Sequence, residues 1–167
     1  MKLRSVLFTV VLLLLAATVC AAQSPMGFSP SEFFRDFVGV STIVYDEPHC
    51  CYTSTDDDTG ALITVGDYAY IYLTYSGDKV TEVDHAFIYT NKDQASTEDA
   101  VYSVFTTFLT LAHITGAYDE AEDTDSFKAI FSELLEKGEL DFLGYHMTAA
   151  AQVDGDSVTG LIRITKE

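Results

Sequence analysis

Two alternating runs, Tyr68–Tyr75 and Val80–Thr90, flank Ser76-Gly77-Asp78-Lys79 and constrain the fold more than any other part of the chain. A strict two-residue period around a Gly-Asp turn is the signature of a β-hairpin, and a hairpin fixes an antiparallel sheet. On the first run Ala69, Ile71, Leu73 and Tyr75 share one face, and Tyr68, Tyr70, Tyr72 and Thr74 share the other. On the second, Val83, His85, Phe87 and Tyr89 alternate with Glu82, Asp84, Ala86 and Ile88. A three-residue turn sets the apolar residues against Val83 and Phe87 and the tyrosines against the acids, whereas a two-residue turn swaps the pairing. The first register segregates apolar from charged side chains and is preferred for that reason.

The flanking sequence supplies helices and more strands. Ser29 can cap a helix, with Pro30 at its first position, Glu32 reaching back, and Phe28 and Phe33 as a hydrophobic staple. Phe33, Phe34, Phe37 and Val38 give that helix one apolar face, and Gly39 is read as its stop. Val40–Tyr45, Cys50–Thr55 and Ala61–Val65 read as strands. Ser96-x-x-Asp99 reads as a second capping box before Val101, Val104, Phe105, Phe108, Leu111 and Ala112, with Gly116 at the end. Phe127, Ile130, Phe131, Leu134 and Leu135 form a third helical stripe, closed by Lys137-Gly138. Two final strands, Leu140–Gln152 and Val158–Thr165, meet at Asp154-Gly155-Asp156. The order α, several β, α, α, β, β predicts a single α+β domain over residues 23–167, with an antiparallel sheet and about three helices packed mainly on one face.

The first 22 residues read differently. Lys2 and Arg4 precede an uncharged apolar run, and Val19-Cys20-Ala21-Ala22 follows with small residues, which is the layout of a secretory signal peptide cut after Ala22 or Ala21. The run is shorter than a membrane span, and Val19 and Ala17 fit a lipoprotein signal at Cys20 poorly. The expected location is therefore secreted or extracytoplasmic, with no transmembrane segment in the mature chain. The whole chain of 167 residues holds 26 acids against nine lysines and arginines, a net charge of −17. Loss of Lys2 and Arg4 takes the domain to about −19, which excludes nucleic-acid binding through a basic surface.

Three groups of residues could hold chemistry. His49-Cys50-Cys51 suggests a thiol redox or metal site, but adjacent Cα atoms lie closer than a disulfide prefers, and strand neighbours point to opposite faces. The acidic loops Asp56-Asp57-Asp58 and Asp119, Glu120, Glu122 and Asp123 offer hard oxygen ligands of the kind Ca²⁺ takes, although neither has EF-hand spacing. Tyr68, Tyr70 and Tyr72, with Glu82 and Asp84 beside them, would make an amphipathic binding face if exposed. The histidines at 49, 85, 113 and 146 form no metal motif, and no serine-hydrolase elbow or phosphate loop is present. The expectation is a non-catalytic exported module that binds a protein or an envelope or extracellular component. The alternatives are a redox or metal protein at the His-Cys-Cys segment and a Ca²⁺-stabilised module. No cofactor is required on these grounds.

Overall fold

The computed structural model describes residues 23–44, 50–55, 59–90, 92–117 and 124–166. Residues 1–22 with Cys20, His49, the Asp56-Asp57-Asp58 loop and the acids from Asp119 to Asp123 lie outside the described residues. Among the described residues three helices, α1 (Pro30–Val44), α2 (Gln94–Thr115) and α3 (Thr124–Lys137), accompany seven strands. These are β1 (Cys50–Ser54), β2 (Gly60–Val65), β3 (Ala69–Ser76), β4 (Lys79–Thr90), β5 (Glu139–Phe142), β6 (Tyr145–Asp154) and β7 (Ser157–Thr165). All seven form one antiparallel sheet in the order β1-β2-β3-β4-β7-β6-β5, so the chain folds as the α+β domain expected.

The β3–β4 hairpin takes the segregating register by a route the turn alone does not show. Ser76 pairs with Lys79 across a two-residue Gly77-Asp78 turn, with Gly77 at φ 65°. The register then shifts between Thr74 and Tyr75, leaving Thr81 as an extra residue in β4. That bulge restores the pairing of a longer turn, with Ala69 opposite Phe87, Ile71 opposite His85 and Tyr72 opposite Asp84. One row across the sheet, Tyr52–Ile63–Ile71–His85–Ile162–Ala149, lies on the face the helices cover. Phe34 of α1 stacks on Tyr52, Ser103 of α2 bonds His85, and Phe127 of α3 meets Phe142 of β5.

The start of α1 is as read. Ser29 N–H donates to Glu32 Oε2 at 2.7 Å, Glu32 N–H donates to Ser29 Oγ at 3.2 Å, and the Phe28 and Phe33 rings stack at 5.6 Å. Its end is not. The helix runs through Gly39 to Val44, so Val40–Val44 is helical where a strand was expected. Val40 and Ser41 are buried there, and Thr42 and Ser41 both donate to the Val38 carbonyl, so packing outweighs the β-branched preference.

The capping box expected at Ser96 is also replaced. Asp93 caps α2 by accepting from Ala95 N–H, and Ser96 accepts from Thr90 N–H. Asp99 turns instead to the β2–β3 turn, where its Oδ2 accepts from Asp67 N–H at 3.1 Å. A Cβ on Gly66, which sits at φ +56°, would lie 2.0 Å from that oxygen, so only glycine fits. Val101, expected in the core, is 60% exposed, while Tyr102, Ser103, Thr106, Thr107, Leu109 and Thr110 are buried. α2 packs on β3 and β4 and also on α1, so most of its circumference is enclosed. Its hydroxyls adapt by donating to carbonyls one turn back, Thr107 to Ser103 and Thr110 to Thr106. The final stretch expected as one strand is two, divided at Leu143-Gly144, whose φ values of 54° and 79° make a tight turn.

Candidate apolar ligand pocket

A pocket of about 430 Å³ opens between α2, α3 and the end of β4. Its floor is Phe87 and Tyr89, successive helix-facing residues of β4. Ala100, Val104 and Phe108 recur along α2 with helical spacing and form one wall, and Phe127 and Phe131 of α3 form the other. The Phe87 and Tyr89 rings lie stacked at 6.4 Å, and Phe105 meets Phe127 edge-on at 5.6 Å. Phe87 can lie flat because its cross-strand partner is Gly160. A Cβ there would come within 2.2 Å of the ring. The polar groups among the lining residues are few. Thr97 and Lys128 line the pocket, and Tyr89 contributes its phenol. Thr97 Oγ1 already donates to the Asp93 carbonyl at 3.2 Å. Such a chamber binds by burying apolar surface, with little polar selection.

Behind the pocket His85 is fully buried, and its Nε2 lies 2.8 Å from Ser103 Oγ. Ser103 Oγ also donates to the Ala100 carbonyl at 2.9 Å. With its one hydrogen committed there, Oγ accepts from His85 Nε2–H, and Nδ1 is left as a buried lone pair without a hydrogen bond. Burial pushes the His85 pKa down to about 3, so the ring is neutral. A serine nucleophile needs the opposite proton arrangement and access to solvent. This pair braces α2 against β4.

The opposite face of the sheet holds the expected tyrosine group. Tyr70 and Tyr72 of β3 are half-buried there, with Tyr68 at the preceding turn. Tyr68 bonds the Asp93 carboxylate, which raises its pKa, and Tyr70 donates to the Asp67 carbonyl at 3.3 Å. The Tyr72 ring covers Gly60, where a Cβ would meet the phenol oxygen at 2.0 Å. Glu82 and Asp84 share this face but are only 3% and 4% exposed. Asp84 faces Arg163 in register and accepts from its Nε at 2.8 Å and its Nη2 at 3.0 Å. Glu82 is 3.4 Å from the same Nε and accepts from Gln23 Nε2 at 2.6 Å. Burial first, and the Asp84 charge second, push the Glu82 carboxyl above its usual range.

Cys50 and Cys51 are both free thiols on opposite faces of β1. Cys50 is half-buried on the helix side, where burial and then Cys51 raise its pKa, and Cys51 is exposed. Among the described residues no three His, Cys, Asp or Glu side chains converge as a metal site, and no helix is long and apolar enough to cross a membrane. The pocket itself carries no local motif. Its aromatic residues look like ordinary core in the sequence, because the gap depends on the spacing of three elements from distant parts of the chain. Comparison of the chain with protein-family models, curated proteins and solved structures finds no match.

Proposed function

We propose that the chain is an exported, non-catalytic binding module that holds a small apolar molecule in the pocket between α2, α3 and β4. The observation that supports this reading is the pocket of about 430 Å³ walled by Phe87, Val104, Phe108, Phe127 and Phe131, a size and lining typical of small-molecule sites. A ligand burying roughly 300 Å² of apolar surface gains about 7.5 kcal/mol before the cost of immobilising it, which sets micromolar affinity as the upper bound. Export rests on the sequence of residues 1–22 and makes the ligand an extracytoplasmic one.

The test uses the neutral fluorescent probe N-phenyl-1-naphthylamine. The wild-type protein binds it saturably at one site. Ala100→Phe, which fills the chamber from the α2 wall, weakens binding at least about tenfold while thermal unfolding stays cooperative. Binding unaffected by Ala100→Phe would move the site elsewhere, with the Tyr70/Tyr72 face the competing location. Loss of binding in Cys50→Ser or Cys51→Ser would revive the thiol-centred alternative.

A further inference from the structure

The segment that enters the fold is pinned beside the buried acids of β4. Ser24 bridges Lys166, Met26 N–H donates to the Val80 carbonyl at 2.7 Å, and Val80 N–H donates to the Phe28 carbonyl at 2.8 Å. Met26 and Phe28 are 2% and 3% exposed, so the segment cannot drift. Gln23, at its head, reaches Glu82 with its side-chain amide at 2.6 Å. The two carboxylates there are unequally served. Asp84 has the Arg163 guanidinium in a two-bond fork, whereas Glu82 shares one nitrogen at 3.4 Å and otherwise has a neutral amide and the Asp84 carboxyl group itself. Among the described residues that touch the pair, two buried carboxylates thus meet one cation. A buried charge short of its partner is costly.

Gln23 is also the residue that follows Ala21-Ala22 at the expected leader boundary. Hydrolysis of the Ala22–Gln23 peptide bond by a leader-removing protease adds one water. The Ala22 carboxylate departs with the leader, and the Gln23 nitrogen becomes a primary amine that is protonated near neutral pH. We propose that this α-ammonium is the second cation of the Glu82–Asp84–Arg163 cluster, so that removal of the leader adds an ionic anchor at Gln23 to a segment already held by Met26 and Phe28. The proposal rests on the export reading above. It makes the amino terminus of the mature chain a structural group, and the uncut chain the less stable form.

The chain beginning at Gln23 retains every described element, because the core starts at Met26. The experiment compares that chain with a free α-amine, the same chain acetylated at the α-amine, and both again with Glu82→Gln. Near pH 6.5 the free-amine form melts about 3 °C above the acetylated form, and the difference disappears with Glu82→Gln. The α-amine titrates higher by NMR in the wild-type sequence than in Glu82→Gln. Cyclisation of Gln23 to a pyroglutamyl lactam expels the side-chain nitrogen as ammonia, so it removes the charge and the Nε2–Glu82 hydrogen bond together, and that form melts below the acetylated one. Equal melting of free and acetylated forms, or a difference that survives Glu82→Gln, would overturn the proposal. Mass spectrometry of the secreted protein provides the separate check on export. A mature terminus other than Gln23 removes the premise, and a protein that stays unsecreted and uncut defeats the export reading itself.

Discussion

Gly160→Ala is the sharpest test of how the pocket floor is built. A Cβ at residue 160 would lie 2.2, 2.6 and 2.8 Å from three atoms of the Phe87 ring, where ordinary contact begins near 3.4 Å. The ring must withdraw by roughly an ångström, and it can do so only toward α2 or into the pocket. Overpacking of this kind costs about 1–3 kcal/mol. For a chain of this size that lowers Tm by roughly 3–9 °C. Phe87→Ala alone removes the ring at a cost of about 3–5 kcal/mol. In that background Gly160→Ala has nothing to strike and gains some strand stiffness, so it becomes neutral or slightly stabilising. The assay is a double-mutant cycle by chemical denaturation, with a coupling of about 1–3 kcal/mol between the two positions. Probe affinity falls in Gly160→Ala, because the displaced ring narrows the chamber. A wild-type Tm for Gly160→Ala, or the same loss in the presence and absence of the Phe87 ring, would refute this packing.

The remaining predictions concern charge and thiols. His85 has a folded pKa near 3, below its unfolded value, so its neutral form is the one the fold accepts. Above about pH 6.5 it has no effect. Below that the unfolded chain binds the extra proton, and stability falls by about 1.4 kcal/mol per pH unit until the folded pKa is reached. Equilibrium unfolding at pH 7.5, 6 and 5 measures that slope, and His85→Gln flattens it. Arg163→Met leaves Asp84 and Glu82 without their guanidinium and costs about 3 kcal/mol at neutral pH. The deficit relative to wild type shrinks toward pH 5, as the stranded carboxyl group takes up a proton, and an undiminished deficit would contradict the cluster. In the chain beginning at Gln23, a disulfide reagent at pH 8 modifies Cys51 quickly and Cys50 slowly, since the latter is half-buried with a raised pKa. Cys51→Ser changes stability by less than about 0.5 kcal/mol.

Much of the scaffold is legible because its signals are local. The Ser29–Glu32 box, the Phe28–Phe33 staple and the Gly116 and Gly138 stops all act within one or two turns. The alternation in β3 and β4 also sufficed to select the register, since the misregister buries charges among isoleucines. The bulge at Thr81, by contrast, has no local mark. Where tertiary packing decides, local reading fails. Val40–Val44 is helical because Val40 and Ser41 have a core to enter, and the Thr-rich side of α2 is buried because β3, β4 and α1 together enclose that helix. Asp99 looks like half of a capping box but serves the turn at Gly66, 33 positions away in the chain. Glu82 and Asp84 sit beside the tyrosine face that the alternation offers for binding, yet Arg163 and Gln23, both distant in sequence, allow their burial. The pocket is the extreme case, since it consists of a space, and only the assembled elements define it.

That space can be probed directly. Heteronuclear NMR of the uniformly labelled chain beginning at Gln23, titrated with N-phenyl-1-naphthylamine, reports every residue that the bound molecule approaches. A single saturable site is expected, with shifts and intermolecular contacts concentrated on Phe87, Tyr89, Val101, Val104, Phe127 and Phe131, and with Tyr70, Tyr72 and Leu161, which faces Ala86 on the opposite side of the sheet, undisturbed. Shifts centred on those last three residues, or no saturable response at all, would contradict a ligand chamber between α2, α3 and β4.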